Sequence, residues 1–354
     1  MPVRGLFFNK FDLYEDKIKK IISNANPKGL MKIDCLQKDC SYDSIVENFL
    51  TPRYNFLIHR NEHGCLFKGG SLRHLTKTAH EMGKPVLNFD FGYFNHYKSF
   101  MFDFYLGDMS SSIKLDWESL PSNVNWNCAP KYIQEYRESC RKNVSNAVGE
   151  TIGGQDLSKC VVIWMQWNTE LLRSSLFVNG QRIPQYQWIN LIAAKIKALG
   201  LVPVVKLNIA NHSEIYNDTV PNIDKSLMLI TNKEEVHASN RGSILDSNAN
   251  NKLIANAKYH VILCSSVSNE IVLNDKPIIA TGKSWFNGFD IFYEPKSWDD
   301  SFSEPTVNSA ARNKWVNWWL SRQVVLQKTD EKIMEIYNKA LAYLNRPTDL
   351  DWQI

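Results

Sequence analysis

Apolar and polar positions change rhythm several times along this chain, and each change marks an element. In the first part, short apolar runs alternate with stretches of helical spacing. Gly5–Phe8, Leu30–Ile33 and Asn55–His59 read as strands. Between them, Asp12–Ile22 sets Leu13, Ile18, Ile21 and Ile22 on one helical side, and Ser41–Leu50 reads as a short helix. Leu72–Met82 is a further helix closed by Gly83, and Lys84–Phe91 (KPVLNFDF) is a strand running into a loop. Gly92–Trp126 breaks the pattern. Aromatics crowd its first half, polar residues its second, and it reads as a large excursion from the sheet's carboxyl edge. Pro130–Ala147 is a helix, and the small, polar Gly149–Gln155 (GETIGGQ) is the linker.

The pattern then restarts. Cys160–Met165 (CVVIWM), Val202–Leu207 (VPVVKL), Ser226–Ile230, His260–Cys264 and Pro277–Thr281 read as strands. Tyr186–Leu199, Asn251–Lys258 and Val267–Leu273 read as helices among them. Strand–helix–strand alternation at this spacing argues parallel sheets with crossover helices. Asn313–Gln327 and Asp330–Leu344 return as helix, with Trp315, Trp318 and Trp319 read as packing. A chain of 354 residues exceeds one ordinary core, since domains run to roughly 150 residues. The expected fold is α/β, with two doubly wound, Rossmann-like domains facing a central cleft: residues 1–150, residues 156–310, and C-terminal helices over 311–354 packing back.

The stretch that carries most chemistry is Val261–Gly288, VILCSSVSNEIVLNDKPIIATGKSWFNG. A buried strand delivers Ser265 and Ser266 to a tight turn, and a helix starts at once. Backbone N–H groups and hydroxyls there make an anion site, although serines that merely cap a helix read the same way. Glu270 lies one turn in, and the next strand ends at Thr281-Gly282-Lys283, which offers a permissive backbone and a cation. Lys206, at a strand's carboxyl end, can neutralise a diphosphate. Gln166 can read a nucleobase edge with its amide. Asp90 closes the KPVLNFDF strand and can take a proton from an acceptor hydroxyl, with His96 close behind it.

Composition narrows the setting. Seven cysteines, an odd number without a CxxC pair, argue against a disulfide framework or a zinc knuckle. The N-terminus lacks the apolar stretch of a signal peptide, and no window has about 18 apolar residues in a row. The expected setting is the cytoplasm without membrane insertion. The eight histidines show no paired metal spacing, and Asp349-Leu350-Asp351 is the one acidic DxD run, in the terminal tail. The expectation is therefore metal-independent chemistry with no cofactor.

Taken together, these residues resemble the capsule-polysaccharide biosynthesis family, the bacterial Kdo transferases. That signature has two serines, a short helix with a glutamate, a Lys-Pro-Val-type strand, then a Gly and an aromatic-Gly loop. Ser265, Ser266, Glu270, Lys276, Pro277, Gly282 and Gly288 sit in the matching places, and Ser268 stands where the family has Gly. Val161–Gln166 resembles the family's strand ending in Gln. Val204–Asn208 resembles its strand ending in Lys-x-His-Pro, with Leu207 and Asn208 departing from it. Pro85–Phe94 resembles its strand ending in Glu-x-Gly, with Asp90 at the acidic position. The resemblance implies a GT-B fold and sugar transfer from a nucleotide sugar, a UDP-sugar first, bound by Gln166, Lys206, Ser265, Ser266, Glu270, Gly282 and Lys283.

Two acceptor classes follow. One is a surface glycan, as in the resembled family. The other is 5-hydroxymethylcytosine in DNA, since some bacteriophage DNA glycosyltransferases are compact GT-B proteins and this Lys- and Asn-rich chain resembles phage sequences. Basic residues and aromatics interleave in the first half: Lys68, Arg73 and Lys77, then Tyr93, Phe94 and Tyr97. An enzyme acting on a base in DNA must extrude it, hold it between rings and clamp phosphates, so the sequence places DNA first. The formal charge of +4 is only a mild bias toward anions. A third reading is a non-catalytic nucleotide- or nucleic-acid-binding module on the same scaffold.

Overall fold

The computed structural model describes residues 3–8, 31–35, 47, 55–60, 66–67, 70–71, 78–91, 99–103, 117–118, 120, 131–166, 177–178, 181–208, 219–234, 242–263, 265–282, 287–295, 305–322, 324–325, 338, 341–342 and 344. The chain forms two compact units, one of Met1–Val124 with Ser321–Ile354 and one of Asn125–Leu320.

In the first unit, β1 (Val3–Phe8), β2 (Met31–Cys35), β3 (Phe56–Arg60) and β6 (Val86–Phe91) lie in parallel in the order β2-β1-β3-β6. Between β3 and β6 runs a small hairpin of β4 (Leu66–Phe67) and β5 (Gly70–Ser71). The excursion expected after Phe91 holds a strand instead: β7 (Ser99–Asp103) pairs antiparallel with β6. Asp90 therefore lies inside a ladder, opposite Met101 and one residue short of the strand's end. Residues 78–81 are helical and Gly83, at φ +67°, closes them as expected. The helix expected over 12–22, and that over 41–50 apart from Glu47, lie outside the described residues.

The second unit opens with α1 (Lys131–Ser145) and then builds a six-stranded parallel sheet. Its strands are β8 (Cys160–Trp164), β11 (Val202–Lys206), β12 (Met228–Thr231), β13 (Ser243–Leu245), β14 (Tyr259–Ile262) and β15 (Ile278–Ala280). A hairpin of β9 (Phe177–Val178) and β10 (Gln181–Arg182) follows β8. The crossovers include α2 (Gln185–Ala198), α3 (Ala249–Asn256) and α4 (Val267–Leu273), and α5 (Ser309–Arg322) follows the sheet. The order is β13-β12-β11-β8-β14-β15. The chain thus works outward from β8 to β13, then returns to β8's other side for β14 and β15. Its winding reverses between β8 and β14, which is where open α/β sheets leave a crevice at their carboxyl ends.

The apolar spacing of α2 explains one face of this sheet. Trp188, Ile189, Ile192, Ala193 and Ile196 pack on Val161, Ile163, Val205, Tyr259, Val261 and Ile279. Each large side chain so buried contributes about 1.5–3 kcal/mol. On α5, Trp315 and Trp319 stack with centroids 5.5 Å apart, and both are fully buried. The tryptophan cluster is packing, as its spacing indicates.

Two boundaries differ from the sequence reading. The 149–155 segment, read as a linker, is folded onto α3. Asn256 Nδ2 donates to the carbonyls of Ala147 (2.7 Å) and Glu150 (3.3 Å), while its Oδ1 accepts from the Gly149 N–H at 2.7 Å. Helix α1, read as part of the first domain, belongs to the second unit. Arg141 donates through Nε to the Leu273 carbonyl (2.6 Å) and pairs with Asp275 at 2.7 Å. Arg137 reaches Asn313 and Asn317 on α5. The division therefore falls at 124/125 rather than near 150. The helix expected to run to Gln327 stops at Arg322. Val324–Val325 forms β16, which pairs antiparallel with β7 and completes the first sheet.

Candidate functional site

Three strand ends of the second sheet place the candidate side chains along its carboxyl edge, β8 and β14 flanking the reversal of winding and β11 lying one strand away from it. β8 runs into Met165-Gln166, β11 ends at Lys206, and β14 runs into Leu263 and on to Ser265-Ser266. The Met165 N–H donates to the Lys206 carbonyl at 3.0 Å, so Gln166 and Lys206 leave neighbouring strands side by side. Adjacent strands lie about 4.8 Å apart.

Gln166 is buried, and its Oε1 has no hydrogen-bond partner. Its backbone is held by a residue that sequence reasoning did not single out. The Gln166 N–H donates to Gln185 Oε1 at 2.6 Å, and Gln185 Nε2 donates back to the Gln166 carbonyl at 3.1 Å. This amide pair, from the first residue of α2, replaces the ladder that ends at Trp164 and fixes the turn. An unpaired buried acceptor is costly, and buried polar groups are almost always satisfied. Here one is left unpaired beside a clamped backbone.

Lys206 is 4% exposed. Its Nζ donates to the Leu207 carbonyl (2.9 Å) and to Asn232 Oδ1 (3.0 Å). Both acceptors are neutral, and no carboxylate among the described residues lies within ion-pair distance of it. Burial alone lowers its pKa to about 8. The expected strand-end lysine is thus a buried cation without a counter-charge among the described residues, a state that an arriving anion relieves.

The serine turn is tighter than an ordinary helix start. The Ser268 N–H bonds the Ser265 carbonyl and the Asn269 N–H that of Ser266, each at 3.1 Å. These amides are consumed within the turn. Capping accounts for the hydroxyls only in part: Ser265 Oγ accepts weakly from the Val267 N–H at 3.5 Å, and Ser266 makes no capping bond. Ser268 Oγ and Asn269 Oδ1 are buried without partners. Glu270, in the first turn of α4, is exposed by area, yet desolvation raises its carboxyl above the usual range. No lysine or arginine among the described residues pairs with it. Gly282 has a steric reason to be glycine: a Cβ there would stand 2.9 Å from the Leu263 carbonyl oxygen, so β15 can leave the sheet against the serine turn only without a side chain. Trp188 Nε1 donates to Thr281 Oγ1 at 3.0 Å and ties α2 to that strand end.

The second unit thus brings Gln166, Lys206, Ser265, Ser266, Glu270 and Gly282 to the sheet's carboxyl edge and the start of its last crossover helix, α4. Lys283, His96, Tyr93, Phe94, Tyr97, Lys68, Arg73 and Lys77 lie outside the described residues, as does the side chain of Asp90, whose backbone is in β6. Sequence reasoning missed Gln185 and Asn232. The one signal for Gln185 was a polar residue heading an otherwise apolar helix stripe. Among the described residues, no group of three or more His, Cys, Asp and Glu is placed to hold a metal ion. No helix among them is long and apolar enough to cross a membrane.

No family model and no curated protein matches the chain. Among solved structures, it is similar to the β-Kdo 2,7-transferase of Thermosulfurimonas dismutans KpsC, at 12% identity and TM-score 0.49, covering 95% of this chain and 99% of that one. The β-Kdo 2,4-transferase of the same KpsC aligns at 10% identity and TM-score 0.49, covering 96% and 98%. Staphylococcus aureus MnaA with UDP aligns at 8% identity and TM-score 0.34, covering 99% and 100%.

Proposed function

We propose that the second unit is the donor-binding half of a nucleotide-sugar glycosyltransferase, and that the chain moves a sugar onto a hydroxyl acceptor. The observation that carries this reading is the set of uncompensated groups at one sheet edge. Among the described residues, an orphan amide oxygen (Gln166, after β8), a cation without a carboxylate (Lys206, at the end of β11) and a carboxylate without a cation (Glu270, on the helix after β14) lie along the carboxyl side of this sheet. A nucleotide sugar supplies the missing partner for each: a base N–H or amine for Gln166, phosphate oxygens for Lys206, and ribose hydroxyls for Glu270. The serine pair and the far end of the Lys-Pro strand, at Thr281-Gly282, fall on the same edge, with Lys276-Pro277 at the strand's opposite end.

In the reaction, the sugar's anomeric carbon–oxygen bond to phosphate breaks, and the bonding pair leaves on the phosphate. Lys206 stabilises that developing charge, so turnover is expected to need no metal. The acceptor oxygen forms the new bond to carbon, and its proton passes to a base. Asp90 holds that role on the sequence reading, at the carboxyl end of a parallel strand. For the acceptor, we take the surface glycan first, because that reading draws on the same resemblance as the donor site. The DNA reading rests on the interleaved cations and rings of the first half.

The test is a thermal-shift panel of uridine, guanosine and cytidine mono- and diphosphate sugars. A ligand at a hundred times its Kd stabilises the native state by about 2.7 kcal/mol. One or more donors should raise the melting temperature, and the Lys206→Met protein should lose that shift. No shift from any donor at millimolar concentration removes the assignment. Mass spectrometry of hydroxymethylated DNA and of a glycan acceptor, each incubated with the donor that binds, then separates the two acceptor classes.

A further inference from the structure

We propose that Asn232 is a positioning residue that keeps the Lys206 charge uncompensated, making the end of β11 a receptor for a phosphate-type anion. The proposal rests on the donor-site reading above and adds to it the neighbour whose neutral amide leaves the lysine's charge available to an anion.

Asn232 follows directly on β12, the strand beside β11, and its half-buried side chain turns an oxygen to the lysine. A lysine Nζ has three donor positions, and two are taken, by Leu207 O and Asn232 Oδ1. The third has no partner among the described residues. The strand that presents Asn232 is fixed: the Leu207 N–H bonds the Ile230 carbonyl at 2.8 Å, and the Lys233 N–H bonds Thr231 Oγ1 at 3.2 Å.

A purely structural buried lysine is best served by a carboxylate, because an ammonium out of water needs a counter-charge as well as acceptors. An Asp at 232 would fill the same space and supply one. The chain carries the amide, which orients the ammonium through one hydrogen bond and leaves its charge intact. The lowered lysine pKa is the cost of this arrangement, and an anionic ligand removes it.

Asn232→Asp should therefore move stability and binding in opposite directions, which a residue of merely structural importance would not do. The experiment uses the full chain, with UDP as the probe and inorganic pyrophosphate as a base-free control. Expected results are a higher melting temperature for Asn232→Asp and a loss of about 100-fold in UDP affinity, since the new carboxylate faces the incoming phosphates. Asn232→Ala, which removes the hydrogen bond without adding charge, should bind within about tenfold of wild type. Calorimetry at pH 8 in two buffers of different ionisation enthalpy gives a separate readout. Wild type should take up roughly half a proton on binding UDP as Lys206 recharges, and Asn232→Asp should take up none. If Lys206→Met abolishes UDP binding while Asn232→Asp binds as wild type, the proposal is overturned and the donor site stands. If Asn232→Ala loses binding as fully as Asn232→Asp, the hydrogen bond rather than the absent charge is what matters, and the proposal is again overturned. If Lys206→Met binds UDP unchanged, the reading of Lys206 falls and takes the proposal with it.

Discussion

Replacing Lys206 with Met tests the electrostatics of the crevice without any ligand. Burial lowers this lysine's pKa from 10.5 to about 8. Every tenfold loss of proton affinity is worth about 1.4 kcal/mol, so holding the charged form in the folded protein costs roughly 3 kcal/mol. The sign follows from proton binding. The unfolded chain keeps the proton up to pH 10.5 and the folded chain releases it near pH 8. The penalty is therefore full below pH 8 and fades as pH rises toward 10.5. Wild type should gain roughly 2 kcal/mol relative to Lys206→Met between pH 7.5 and pH 10. Urea unfolding of both proteins at the two pH values measures this difference, and the other lysines and tyrosines, common to both, cancel. The absolute stability of the variant at pH 7.5 is a separate matter, because Met leaves the Leu207 and Asn232 oxygens without a donor. If the two pH profiles run parallel to within about 0.5 kcal/mol, the lysine is not desolvated as described and the anion-receptor argument loses its basis.

Other expectations follow from the same unit. His260 is fully buried, accepts from Trp164 Nε1 at 3.2 Å, and has its pKa lowered to about 3 by desolvation first, then by Lys276 and Arg312. It folds neutral, so stability should fall as pH drops below 6.5, by roughly 2 kcal/mol between pH 6.5 and 4.5, and acid unfolding of His260→Gln should lack that component. Gln185→Met removes both bonds to the Gln166 backbone. UDP affinity should drop about tenfold, and a double-mutant cycle with Gln166→Ala should show the two losses to be non-additive; simple additivity would mean that Gln185 does not act through Gln166. Gly282→Ala places a methyl group against a main-chain carbonyl that cannot turn away, and urea unfolding should register a loss of about 1–3 kcal/mol; an unchanged midpoint would show that the strand end yields freely.

Much of the second sheet was legible because its strands are parallel and buried on both faces, so CVVIW, VPVVK and YHVI stand out as apolar runs. Helix α2 was legible from its stripe. The short strands were not. β13 has three residues and β16 two, too few for a period to declare itself, and β7 was hidden among aromatics that suggested a loop. The candidate site was legible where motif residues follow strands, as at Gln166, Lys206 and Ser265. What surrounds these residues was not, because it depends on neighbours distant in sequence. Asn232 is 26 positions from Lys206, and Gln185 is 19 from Gln166. Nothing local marks either amide as different from a surface one. The boundary near 150 was misplaced for a similar reason: Arg137 and Arg141 bind partners more than 130 positions away.

The late strand β16 has a consequence for synthesis. It completes the edge of the first sheet on β7, yet about 220 residues, including the whole second sheet, separate Asp103 from Val324. At roughly 5–20 residues per second, the ribosome needs about 10–45 s to deliver it. Throughout that interval β7 presents a row of unpaired N–H and carbonyl groups on a nascent chain, the kind of edge that recruits strands from other molecules. The N-terminal unit, although translated first, is thus the last to be finished, and a chain stopped just after Leu320 would keep the second sheet whole while releasing the first with an open edge.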